Sequence, residues 1–134
     1  GRRNLAPYTG GLALNDETSA RDAARMLEQF YRGTWVDEEM SRQALDILLA
    51  CQTNGRIPHL LPLGTPVAHK TGSMDRVVND AGIVFTDKGD YLLTLFYNGN
   101  TAGAEEYDQN PHGYFGETRL AQLSLAIFEE YTAS

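Results

Sequence analysis

Lysine, threonine, glycine and serine follow one another at Lys70-Thr71-Gly72-Ser73, directly after the run Val67-Ala68-His69. The whole stretch reads as a β-strand, so an ammonium, a hydroxyl and a length of bare backbone come within a few residues of one another. An ammonium beside a hydroxyl suits an anion such as a carboxylate, since both groups donate. Gly72 lets a ligand approach the backbone where any side chain would obstruct it. A plainer reading is that Lys70 is a solvated lysine guarding a sheet edge. The tetrapeptide alone does not separate the two.

Alternation turns His69 away from the Lys70 face, which gives it a packing or supporting role rather than that of a base. His59, His69 and His112 lie far apart with no cysteine or carboxylate at ligand spacing, so neither metal nor cofactor is expected. Cys51 is the only cysteine, which excludes an intramolecular disulfide, and on an apolar helix face it reads as a small hydrophobe. The net charge of −7 disfavours nucleic acid, whose phosphates need a basic stripe, and is most simply a solubility feature. No long apolar run is present, so membrane insertion is not expected. With 134 residues and 42% hydrophobic content, the chain reads as a single folded domain.

The elements that must position the tetrapeptide are α+β in character. Residues 1–17 read as loop. Two helices are expected within 18–53. The first has Ser19 as N-cap and Asp22 three places on; Ala23, Met26, Leu27, Phe30 and Tyr31 form its apolar face, and Gly33 stops it. The second is capped by Asp37, carries Glu38 and Glu39 in its first turn and ends at Asn54-Gly55. Its apolar arc, from Met40 through Leu45, Ile47, Leu48 and Leu49, predicts that it is largely buried. A proline-rich connector, 54–66, leads to three antiparallel strands at about 67–73, 79–86 and 90–97, the last two joined by Asp87-Lys88-Gly89-Asp90. The third strand is apolar enough to call for a neighbour on each side, and the sequence offers one. Residues 98–117 read as a surface loop pinned by Tyr107, Tyr114 and Phe115, and a final helix over 117–131 follows.

Four stretches in this order resemble the C-terminal half of class A β-lactamases and their penicillin-recognising serine hydrolase relatives. They are Asn15 to Asp22, Ser41-Arg42-Gln43-Ala44-Leu45, His69-Lys70-Thr71-Gly72 followed by Asn79-Asp80-Ala81-Gly82-Ile83-Val84, and Leu120-Ala121-Gln122-Leu123-Ser124. In that family Lys-Thr-Gly is one of three signatures, beside Ser-x-x-Lys and Ser-Asp-Asn. The resemblance implies a five-stranded antiparallel sheet with a helical domain beside it, residues 1–17 being an Ω-loop-like segment. The strands absent here would come from the N-terminal half, or from a second copy.

By the same resemblance, Lys70 and Thr71 hold a substrate carboxylate, Gly72 admits the substrate, and Ser73 gives its N–H to the oxyanion hole. Lys70 and Ser73 are thus the expected catalytic contributors. Many class A members carry an arginine on the following strand; here Asn79-Asp80 stands there, and Arg76 in the turn is the candidate to supply that charge. Asp80 reads equally as closing the turn, paired with Arg76, or as facing the cleft. Of the serines, Ser19, Ser41, Ser73, Ser124 and Ser134, none is followed three places on by lysine, and no glutamate precedes Glu17. The nucleophile and its base are therefore not expected in this chain. The function implied is a β-lactamase-like serine hydrolase acting through an acyl-serine on a β-lactam or peptide-like small molecule, periplasmic or secreted from a bacterium. The alternatives are a peptidase or esterase on the same fold, or a non-catalytic module that binds a ligand or partner.

Overall fold

The structure, a computed structural model, describes residues 18–74, 77–98 and 114–133. Helix α1 (Ala20–Arg32) begins as its cap requires, Ser19 Oγ accepting the Asp22 N–H at 3.1 Å, and Gly33 ends it at φ 73°. Helix α2 (Glu38–Leu49) starts from Asp37, whose carboxylate accepts the Met40 N–H at 2.7 Å. It stops earlier than Asn54-Gly55. The Cys51 N–H turns back to Leu48 O at 3.2 Å, a tightened last turn that closes the helix and frees Asn54 for the connector.

Strands β1 (Val67–Met74), β2 (Val77–Val84) and β3 (Tyr91–Asn98) form an antiparallel sheet in chain order. Val67 faces Val84 at one end of the first pair, and Met74 faces Val77 at the other. Between β2 and β3 the chain turns through Gly89 at φ 115°, with the Thr86 N–H bound to Asp90 Oδ1 at 3.1 Å. Helix α3 (Tyr114–Thr132) follows. It begins three residues before the expected start, so Tyr114 and Phe115 belong to its first turn rather than to a loop. Tyr107 and the rest of residues 99–113 of the expected loop, like residues 1–17 and Arg76, lie outside the described residues.

Alternation along the strands gives the sheet two apolar faces. On one, Val67, Val78, Val84, Leu93 and Leu95 pack with Ile57 and Leu61 of the connector and Leu120 of α3. On the other, Ala68 and Ile83 meet Leu27 of α1, with Leu45 and Leu48 of α2 alongside. One expectation needs correction. Helix α2 is not largely buried: Met40, Ile47 and Leu49 are exposed, Ile47 by 73%, because only one side of the helix meets the sheet. Strand β3 has β2 as its one neighbour among the described residues, and Leu92 and Phe96 are each left 38% exposed.

Candidate functional site

The direction of the backbone groups on β1 follows from two contacts. The Phe85 N–H bonds to Pro66 O at 3.1 Å, and the register pairs these positions just beyond Val67 and Val84. Hydrogen-bonded pairs alternate along an antiparallel ladder, so Ala68, Lys70 and Gly72 bond to β2. The N–H and C=O of His69, Thr71 and Ser73 then point away from β2, out of the free edge. The Arg56 guanidinium supports the same assignment. Its Nη1 donates to both Gly72 O, at 2.9 Å, and Asn79 O, at 2.6 Å, so these two carbonyls lie side by side as in a bonded pair.

Lys70 is exposed, and its ammonium donates to Thr71 O, one of the outward carbonyls, which puts the charge at the edge itself. It has no carboxylate partner among the described residues. Thr71 is half-buried and takes its place on the α3 face with His69. Gly72 is open: a Cβ built there would meet only Asn79 Cβ, at 4.0 Å. Ser73 Oγ accepts a hydrogen bond from Arg56 Nη2, and its N–H points out of the edge, away from β2. Lys70, Thr71, Gly72 and Ser73 are thus brought together as a cation and outward N–H groups along a few residues of open strand. Such a strip can hold an anion and donate to a carbonyl oxygen.

The connector behind this strip holds the residues that sequence reasoning missed. Arg56 is 3% exposed, yet each of its three guanidinium nitrogens donates, Nε to Glu117 Oε1 of α3 at 3.1 Å. A buried cation is tolerable only when so fully bonded. The signal was present: Arg56 is the sole charged residue in the proline-rich stretch 54–66. Asp80 also departs from both expected roles. It neither closes the turn nor faces the cleft, but lies fully buried on the α3 face. Its carboxylate accepts from the Ile57 N–H at 3.0 Å and faces His69 Nδ1 at 2.9 Å. Ser124 of α3 donates to Ile57 O at 2.8 Å, so helix, connector and strands are tied at one point.

Groups of histidine, cysteine and carboxylate able to hold a metal are absent among the described residues, and none of the described helices is long and apolar enough to cross a membrane. Away from the strip, the Tyr31 hydroxyl donates to Asp90 Oδ2 at 2.9 Å, and this bond to an anion pushes its pKa up. Burial pushes up that of Tyr91, which packs on Tyr131.

The sheet whose edge strand carries Lys-Thr-Gly is thus backed by α3 on one face and by α1 and α2 on the other. The model of the beta-lactamase enzyme family matches residues 5–131, and the chain belongs to that family. Among solved structures it is similar to PBP-A, with 26% identity and a TM-score of 0.72 over 87% of this chain and 41% of that one. A PBP-A mutant solved as an acyl-enzyme complex with penicillin G matches at 25% identity and a TM-score of 0.73, over 87% and 41% of the two chains. The fold is also that of a beta-lactamase from Sphaerobacter thermophilus DSM 20745, at 23% identity and a TM-score of 0.69, over 84% and 40%. The chain therefore spans about 40% of the length of these structures. Among curated proteins none matches it.

Proposed function

We propose that this chain forms the substrate-binding wall of a β-lactamase-like serine hydrolase whose nucleophile lies outside these 134 residues. The observation that carries the reading is the free edge of β1, where Lys70 sits among outward backbone groups and Gly72 leaves the approach open. A β-lactam or related acyl compound presents a carboxylate and an amide carbonyl. Lys70 and Thr71 receive the carboxylate. The Ser73 N–H donates to the carbonyl oxygen as negative charge develops there, which a single such donor stabilises by about 3 kcal/mol. Its own carbonyl, also outward, accepts from the substrate amide. Arg76 is a further candidate for the carboxylate. Acylation and hydrolysis of a serine ester require neither metal nor redox cofactor. The likeness to a protein solved as a penicillin acyl-enzyme supports this substrate class. Such an enzyme acts outside the bacterial cytoplasm, where β-lactams and cell-wall peptides are met.

The missing Ser-x-x-Lys favours a second reading, in which the chain by itself binds a ligand or partner and performs no chemistry. One experiment separates the two. A fluorescent penicillin is offered to the 134-residue chain and to the chain joined to an N-terminal segment bearing Ser-x-x-Lys, and adducts are located by mass spectrometry. The expected result is no adduct on the chain alone and one on the added serine in the joined protein. There, Lys70→Ala should slow acylation by several powers of ten, on the order of 3–5 kcal/mol, because the substrate's enclosed carboxylate loses its cation. An adduct on any serine of this chain, or acylation untouched by Lys70→Ala, would refute the assignment.

A further inference from the structure

His69 stands next to Lys70 but on the opposite face, 1% exposed. The fold makes room for it deliberately. Gly82 is its partner across the ladder, and a Cβ there would lie 2.7 Å from His69 Cβ and 2.9 Å from Ala68 O. Its Nδ1 faces the Asp80 carboxylate at 2.9 and 3.1 Å; the carboxylate only accepts, so the ring hydrogen is on Nδ1. Nε2 lies 3.2 Å from the Asn54 side-chain amide, and a bare Nε2 is bonded there by the amide's NH2 group. Asp80 in turn holds the Ile57 N–H, and Ile57 follows Arg56, whose guanidinium grips Gly72 O and Ser73 Oγ. The series leaves β1 at His69 and returns to it at Gly72 and Ser73.

We propose that His69 is a positioning residue for the edge donor of Ser73. Through Asp80 and Asn54 it pins the connector to β1, and so keeps Arg56 beneath the Gly72–Ser73 peptide. The inference rests on the reading of the Ser73 N–H as donor to the substrate carbonyl. Without the imidazole, a wholly buried carboxylate would keep only the Ile57 N–H. It must then draw in water or move, since a charge left short of partners is costly in the interior. Either response displaces residues 56 and 57, and Arg56 with them.

The test has two arms. In substrate-free protein, NMR follows the Gly72 and Ser73 amides, the Arg56 Nε–H and the His69 ring nitrogens. Wild type should show the hydrogen on Nδ1. In His69→Ala the Arg56 Nε–H should exchange at least about tenfold faster, and the Ser73 amide should shift. His69→Asn, whose amide can donate to Asp80, should restore part of both. In the second arm, the protein joined to its Ser-x-x-Lys segment should lose acylation rate in His69→Ala by about 10- to 100-fold, with penicillin affinity changed by less than about threefold. A folded His69→Ala with unmoved Gly72, Ser73 and Arg56 signals overturns the proposal, whatever the acylation rate. Should that variant fail to fold, Asn54→Ala decides, because Asn54 is exposed and its loss spares the core. Unmoved signals there overturn the proposal equally. If wild type is not acylated at all, the functional assignment fails while the NMR arm still decides the role of His69.

Discussion

Gly72 and Gly82 sit on neighbouring strands and lack a side chain for opposite reasons. At Gly72 a methyl group would enter open space, with Asn79 Cβ the nearest atom at 4.0 Å. At Gly82 it would collide with His69 and with the Ala68 carbonyl. Gly82→Ala should therefore destabilise the protein by about 2–3 kcal/mol, the range for forcing extra volume into a packed interior. Gly72→Ala should leave stability within about 0.5 kcal/mol, as a surface change does. It should instead block the approach to the β1 edge. Urea unfolding of the two variants, beside penicillin acylation of the joined protein, gives the comparison. Equal loss of stability in both would contradict the open edge at Gly72.

Between α1 and α2 the chain turns through Val36, at φ 62° and 75% exposed. A β-branched residue in the left-handed region is strained, by roughly 1–2 kcal/mol. The turn survives because its neighbours over-determine it. Ser41, fully buried, accepts from the Trp35 N–H at 3.0 Å and donates to Trp35 O at 2.9 Å, while the Trp35 ring stands edge-on to Phe30. Val36→Asn should raise the melting temperature, by an amount corresponding to about 1 kcal/mol, since asparagine tolerates this conformation and Val36 buries little. An unchanged or lower melting temperature would mean that the valine side chain supplies packing the structure does not show. Elements of this kind differ in how far the sequence betrays them. Caps, strand positions and the Lys-Thr-Gly strip were legible because Ser19, Asp37, Gly33 and the alternating strand residues act locally. The supports were not. Asp80 and Arg56 are bonded across 11 to 61 positions to groups that only the folded sheet and its helix bring near. The burial of α2 was overestimated because its apolar arc says what could be covered, not what covers it.

At the scale of the whole molecule, the two borders of the sheet differ in character. The β1 border carries Lys70 and glycine, which discourage accidental pairing, and the β3 border carries Leu92 and Phe96 beside the outward backbone groups of Leu92, Thr94 and Phe96. A second copy, or the strands expected from an N-terminal half, would cover it. The chain alone should associate with itself in sedimentation at micromolar to millimolar concentration, and Phe96→Lys should weaken that association by roughly tenfold or more. In the joined protein the same change should cost stability instead. A strictly monomeric wild-type chain would count against the β3 border as a pairing surface. The sheet order β1-β2-β3 has a further consequence, for time rather than for energy. Each strand pairs with the one made just before or after it, so the loops that must close are short and cheap in entropy. The sheet can form early, as one local unit, and its Lys-Thr-Gly edge is built before the distant α3 is needed. Whatever strand completes the β3 border must find it across a longer stretch of chain, which makes that pairing the slow step and leaves the apolar edge waiting in the meantime.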